Sequence, residues 1–217
     1  MFKLKNVSIK YEDTKALHNI SLEINEGEKV ALIGPSGAGK TTLLRTLYEL
    51  KRENAAFIHQ DYALVPQLSV FNNVYAGRLD RYTTAYNLLN LIKPQKNELE
   101  QINLVLKRLQ LEEKKFNKVG ALSGGQQQRV AVARALFRGG DVLLGDEPVS
   151  SIDPHQAGTI VGILTEATKT VVLSLHSVEL ALQYFSRIIG LRLGKVLFDL
   201  PRKDINDSLL EKLFHPC

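Results

Sequence analysis

The stretch Gly34-Pro35-Ser36-Gly37-Ala38-Gly39-Lys40-Thr41 follows the apolar run Val30-Ala31-Leu32-Ile33 and opens Thr41-Thr42-Leu43-Leu44-Arg45-Thr46-Leu47-Tyr48. Strand, glycine loop and helix in that order are the setting in which the pattern G-x-x-x-x-G-K-[ST] cradles phosphate. Gly34, Gly37 and Gly39 let the backbone curl until several N–H groups face inward as an anion nest. The helix start adds a partial positive charge. Lys40 is expected to reach the β- and γ-phosphates of a nucleoside triphosphate, and the Thr41 hydroxyl to ligate Mg²⁺. Pro35, Ser36, Ala38 and Thr42 complete the expected nucleotide-binding segment.

An acidic counterpart lies further along. Asp141-Val142-Leu143-Leu144-Gly145-Asp146-Glu147 reads as a short strand buried on both faces and ending in two carboxylates. Ligands of α/β proteins gather at such strand ends. Asp146 is expected to hold Mg²⁺ through water, and Glu147 to act as general base on the attacking water. A solvated acidic turn before Pro148 is the competing reading, and the phosphate loop in the same chain weighs against it. A third segment, Leu122-Ser123-Gly124-Gly125-Gln126-Gln127-Gln128-Arg129, sets Ser123 and two glycines before a helix expected over about residues 126 to 137. Ser123 is a good N-cap there, and a capped helix start also suits an anion.

With these three segments the chain resembles the ATP-binding subunit of an ABC transporter, and the resemblance covers essentially its whole length. It implies ATP and Mg²⁺ as ligands and a second ATPase subunit, a homodimer, as partner. In that arrangement Ser123, Gly124, Gly125 and Gln126 meet the γ-phosphate held by the other subunit's loop. Gln60, in Phe57-Ile58-His59-Gln60-Asp61, resembles the family's glutamine that touches Mg²⁺ and water and couples the core to a helical region. His176, after Thr170-Val171-Val172-Leu173-Ser174-Leu175, resembles the switch histidine that contacts the γ-phosphate. Ser150-Ser151-Ile152-Asp153 resembles the loop that crosses the dimer interface. Tyr11 resembles the residue on which adenine stacks, and a strand tyrosine half-packed on the sheet is an equal reading.

Softer cues narrow the resemblance to the phosphonate-import ATPases. They are Leu64-Val65-Pro66-Gln67-Leu68-Ser69-Val70-Phe71-Asn72-Asn73-Val74, Asp146 to Pro154, Ser174 to Leu182 and Arg187 to Arg192. They imply uptake of phosphonate or a related phosphorus oxyanion through integral membrane permease subunits, with an extracytoplasmic substrate-binding protein. The chain is then peripheral on the cytoplasmic face of the inner membrane. A different cargo, a soluble ABC-type ATPase not coupled to transport, and a P-loop kinase are the alternatives; a kinase needs no segment like 122–129, and the soluble ATPases usually carry tandem cassettes or a long coiled-coil insertion.

Outward from the motifs, the 217 residues suit one domain. Alternating strand-like and helix-like segments argue for an α/β fold: a RecA-like P-loop NTPase core with a mainly parallel sheet, about 1–61 and 131–217. A small N-terminal antiparallel β layer is expected from the alternation of Phe2 to Lys10, and an inserted helical subdomain over about 62–130. Within it Asn97-Glu98-Leu99-Glu100 resembles a capping box, with Leu99, Ile102, Val105, Leu106 and Leu109 along one face. The net charge of +5 is scattered and shows no basic run of nucleic-acid type, so no nucleic acid is expected as partner. The single cysteine, Cys217, leaves no intrachain disulfide and fits a reducing compartment. Neither a leader peptide nor a membrane-spanning run stands out. The resemblance fails at one place: only 18 positions separate Thr42 from Gln60. The family fills a longer gap with strand and loop, so a compact turn and a small antiparallel layer are expected.

Overall fold

A computed structural model describes residues 1–11 and 14–215; Cys217 lies outside the described residues. Two strands, β1 (Phe2–Tyr11) and β2 (Thr14–Ile24), form an antiparallel layer of their own. The remaining strands are β3 (Lys29–Ile33), β4 (Ala55–Ile58), β5 (Val142–Asp146), β6 (Thr170–Ser174), β7 (Arg187–Arg192) and β8 (Lys195–Pro201). They make one six-stranded sheet in the order β4-β5-β6-β3-β7-β8, parallel except where β8 returns beside β7. The helices are α1 (Lys40–Lys51), α2 (Val70–Tyr75), α3 (Thr84–Ile92), α4 (Lys96–Arg108), α5 (Gly124–Arg138), α6 (Pro154–Ala167), α7 (Val178–Tyr184) and α8 (Asp207–Phe214).

The sheet strands are apolar runs because both faces are covered. Successive side chains alternate between two cores. Ala31, Ile33, Ala56, Ile58, Leu143, Val171 and Leu173 point toward α2, α4, α5 and α6. Val30, Leu32, Ala55, Phe57, Val142, Leu144 and Val172 point toward α1 and the β1–β2 layer, whose Phe2, Leu4, Leu17, Ile20, Leu22 and Ile24 pack on Leu43, Leu44 and Leu47. The antiparallel layer therefore covers the helix that follows the phosphate loop.

The short connection is as compact as its length requires. One 3₁₀ turn, Arg52–Asn54, links α1 to β4 with no added strand. It is pinned from the C-terminal end of α5, where Arg138 Nε donates to the Ala55 carbonyl at 2.9 Å and the Asp141 N–H to the Asn54 carbonyl at 3.0 Å.

Residues 62–122 carry helices and turns with a single isolated bridge, Ser69 to Lys118. α5 runs unbroken across the expected subdomain boundary at 130/131, packing on α2 and α4 on one side and β4 on the other. One local expectation fails. No capping box forms at Asn97-Glu98-Leu99-Glu100, because α4 already begins at Lys96 after Gln95, which contributes no side-chain cap. Glu98 is instead buried and accepts the Tyr82 hydroxyl at 3.0 Å and the Tyr86 hydroxyl at 3.3 Å. Glu100, the carboxylate that such a box would turn back, lies 3.9 Å from Lys96, and turning Glu98 inward to two phenolic donors fixes the face of α4. Ile102, Leu106 and Leu109 share that buried face as expected, while Leu99 and Val105 pack at its margin.

Candidate functional site

The parallel strands place their C-terminal ends along one edge of the sheet. The loop after β3 carries Gly34 to Gly39, and Gln60 follows β4. Asp146 ends β5 with Glu147 behind it, and His176 follows β6. Because β4, β5, β6 and β3 are neighbours in that order, residues far apart in sequence meet at this edge.

The loop is shaped by close approach. A Cβ on Gly34 would lie 2.1 Å from the Leu191 carbonyl oxygen, and one on Gly39 2.6 Å from that of Ala16. Gly39 also sits at φ 100°, in left-handed space, and opens α1 without a side-chain cap. The first N–H groups of α1 are thus left to an incoming anion. Lys40 is buried and folds back, donating from Nζ to the Gly34 carbonyl at 2.8 Å and the Pro35 carbonyl at 3.1 Å. Burial pushes its ammonium down from the ordinary lysine value, while the charges of Glu147 and Asp146 oppose the shift. Ala38 closes the turn by donating its N–H to the Pro35 carbonyl at 3.2 Å, and its own carbonyl accepts the Gly194 N–H at 3.1 Å. Ser36 is exposed on the rim, and the Thr42 carbonyl accepts the Thr46 hydroxyl at 2.8 Å.

Asp146 is 2% exposed and has both oxygens engaged. Thr41 Oγ1 donates to Oδ2 at 2.6 Å, and Ser174 Oγ to Oδ1 at 2.7 Å. Glu147 has a positive φ of 50° and is gripped at every polar atom. Its N–H donates to Ser174 Oγ at 2.9 Å, and its carbonyl accepts Gln128 Nε2 at 2.8 Å. Its carboxylate accepts His176 Nε2 at 2.6 Å on Oε1 and Gln60 Nε2 at 3.2 Å on Oε2. A cleft of about 530 Å³ between α6 and α7 opens beside Glu147 and His176, and no residue of the phosphate loop lines it.

The donors suit Mg²⁺, a hard cation that takes a few protein oxygens together with phosphate and water. The oxygens available for such a role at this edge are the Thr41 hydroxyl, the Asp146 carboxylate and the Gln60 amide. Among the described residues no group of three or more His, Cys, Asp or Glu side chains is arranged as an all-protein cage.

Sequence reasoning named Thr41, Asp146, Glu147, Gln60 and His176, and the structure brings these together. Two other sets stand apart. Ser123 caps α5 in a capping box with Gln126, accepting the Gln126 N–H at 3.3 Å while Gln126 Oε1 accepts the Ser123 N–H at 3.0 Å. The helix accordingly starts at Gly124, two residues before the expected position. Among the described residues no hydrogen bond joins residues 123–126 to the 34–42 loop. Gly124 faces open space, and Gly125 lies so close to the 150–153 loop that a Cβ would be 2.8 Å from the Ser151 carbonyl oxygen. Tyr11 is 53% exposed at the end of β1, pairing with Thr14 two residues before Ala16, whose carbonyl touches Gly39. Asp153 caps α6 by accepting the His155 N–H at 2.9 Å.

Sequence reasoning missed Ser174 and Gln128. Ser174 is a hydroxyl at a fully buried strand end. Gln128 is an amide on the buried face of α5, two residues before Val130. A polar residue closing an apolar run was the available signal for Ser174, whereas Gln128 lies inside the polar run Gln126 to Arg129 and carries no such mark.

Comparison with known proteins follows the same lines. A sequence family described as "ABC transporter" matches residues 17–150. The "Phosphonates import ATP-binding protein PhnC" of Pseudomonas entomophila (strain L48) is 38% identical over 241 residues, covering 98% of this chain and 90% of that protein. The "Phosphonates import ATP-binding protein PhnC 3" of Halalkalibacterium halodurans is 37% identical over 244 residues, covering 99% and 94%. Both matched spans exceed the 217 residues here, so these relatives carry segments that this chain lacks. Among solved structures, the dimeric bacterial ABC transporter cassette MJ0796 superposes with a TM-score of 0.81 at 31% identity, covering 94% of this chain and 100% of that one. Its post-hydrolysis form bound to ADP and Pi gives 0.79 at 30% identity, covering 94% and 99%.

Proposed function

Because the chain belongs to the ABC transporter ATP-binding family and is an ATPase of that fold, we propose that it powers a phosphonate importer. In this reading two copies bind two Mg-ATP beneath membrane permease subunits, and an extracytoplasmic binding protein delivers the solute. The relatives' names support phosphonate, or a related phosphorus oxyanion, as cargo. Among the described residues no helix is long and apolar enough to cross a membrane, which is compatible with a peripheral subunit on its cytoplasmic face.

One observation carries the assignment of chemistry: the Glu147 carboxylate is clamped by Gln60 and His176 beside the Thr41–Asp146 pair. Glu147 takes the proton of the attacking water, and its two donors, Gln60 and His176, fix the direction from which it does so. Lys40 exchanges the Gly34 and Pro35 carbonyls for phosphate oxygens, replacing neutral acceptors by charged ones. The uncapped start of α1 supplies N–H groups to the same phosphates. Thr41, Asp146 and Gln60 would hold Mg²⁺, which when bound neutralises charge on the β- and γ-phosphate oxygens. His176 carries an Nε2–H that serves Glu147 here and can serve a phosphate oxygen instead. The exposed face of Tyr11 can stack on adenine without reading it.

Ser123 accepts a hydrogen bond in its own helix and keeps its hydroxyl proton for a donor role. That, and its separation from the chain's own loop, supports contact with ATP bound by the second copy, as does the dimeric state of MJ0796. ATP then shifts the pair toward closure because the closed dimer binds it better.

Glu147→Gln tests the reading. The amide keeps the size and an acceptor oxygen but cannot take a proton. Mg-ATP binding should persist, turnover should fall about 10²- to 10⁴-fold, and size-exclusion with Mg-ATP should show a dimer. Wild-type turnover would remove Glu147 from the role of base.

A further inference from the structure

We propose that Tyr62 is a positioning residue that ties the segment after Gln60 to the loop after Glu147, so that the two sides of the reaction site are set together. The inference rests on Glu147 as the base.

The backbone at Tyr62 is unusual. Tyr62 and Ala63 have φ of 63° and 47°, the one consecutive pair of non-glycine residues in left-handed space among the described residues. The Ala63 N–H donates to the Asp61 carbonyl at 2.8 Å, closing a three-residue turn with positive φ at its centre. That form of γ-turn is rare and strained, and strain of this kind persists only when the surroundings impose it. The half-buried Arg134 on α5 supplies the restraint. Its guanidinium donates to the Tyr62 carbonyl at 2.7 Å and to the Ala63 carbonyl at 2.5 Å.

The twist aims the Tyr62 side chain at the other loop. Its hydroxyl donates to Ser151 Oγ at 2.7 Å. The Ser151 N–H donates to Gln128 Oε1 at 2.7 Å, and Gln128 Nε2 reaches the Glu147 carbonyl. Residues 60–63 and 147–151 are thus linked twice, by Gln60 to the Glu147 carboxylate and by Tyr62 to Ser151. Downstream, buried Asn73 holds both the N–H and the carbonyl of Val65, at 2.8 and 3.0 Å, which extends the path into α2. A shift of α2 therefore reaches the 147–151 loop through Tyr62, and a shift of that loop reaches α2.

Tyr62→Phe removes one oxygen and leaves the ring packed on the core. A hydrogen bond of ordinary net strength corresponds to about a 2- to 10-fold change. Tyr62→Phe and Ser151→Ala should each lower kcat for Mg-ATP by about that factor, with KM unchanged and thermal midpoint near wild type. Because they remove one shared bond, the double variant should be no slower than either single. Full kcat in either single variant, or losses that multiply in the double variant, would overturn the proposal. Glu147→Gln measured alongside separates the two ideas. If it turns over like wild type, the base assignment fails; if it is dead while Tyr62→Phe is fully active, the positioning role alone fails.

Discussion

Gln128→Leu removes three hydrogen bonds made by one buried amide. Gln128 is 1% exposed, donates to the Glu147 carbonyl at 2.8 Å and the Ser150 hydroxyl at 3.2 Å, and accepts the Ser151 N–H at 2.7 Å. Leucine fills a similar volume but offers no partner. Ser150 is near solvent and can turn to water. The Ser151 N–H is left unpaired, at about 1–3 kcal/mol, and the Glu147 carbonyl, which keeps the Ser150 N–H at 3.2 Å, loses its better bond, at about 0.5–1.5 kcal/mol. The added apolar burial returns about 1–2 kcal/mol. A net loss of about 1.5 kcal/mol follows, a measurable share of a domain's 5–15 kcal/mol. For a chain of this size that lowers the thermal midpoint by about 3–6 °C. Scanning calorimetry of wild type and variant without nucleotide reads it directly. Gln128→Glu is the companion: it keeps an acceptor for the Ser151 N–H but sets a carboxylate oxygen against the Glu147 carbonyl, and should be at least as damaging. A Gln128→Leu midpoint within about 1 °C of wild type would refute the view that this amide supports the 147–151 backbone.

Three further substitutions probe the proposed shared site. Gly125→Ala places a methyl 2.8 Å from the Ser151 carbonyl oxygen, and that exposed loop must give way. ATP binding at the 34–42 loop should persist while turnover falls on the order of 10- to 100-fold, the usual consequence of a misplaced reacting group; unchanged kcat would mean that the loop shifts freely. Lys40→Ala and Ser123→Arg chains should each be inactive alone, the first through lost phosphate affinity seen in a nucleotide titration. Mixed, they put both lesions in one composite site and leave the other whole, so activity should partly return; a mixture as dead as its components counts against two separable sites.

Sequence alone determined the elements whose signal is local. Gly34 to Thr41 between an apolar run and a helix announced the curled loop from β3 to α1, because backbone curvature there needs glycine and no distant residue can substitute for it. The apolar run of β5 ending in Asp146-Glu147, and the serine-glycine start of α5, were legible for the same reason: burial and capping act over a few residues. The short link from α1 to β4 was legible because its length leaves room for one turn and nothing more. Only the tertiary structure decided which polar side chains turn inward. Glu98 stands in the first turn of α4 and turns inward to Tyr82 and Tyr86, donors carried on another part of the chain. Ser174 lies 28 residues from Asp146, Gln128 lies 19 from Glu147, and Tyr62 lies 89 from Ser151. No periodicity reports such pairs, because a polar residue shows the same pattern whether it meets water or a partner. Their partners are chosen by the strand order that brings β4, β5 and β6 side by side, and that order exists only once the sheet has formed.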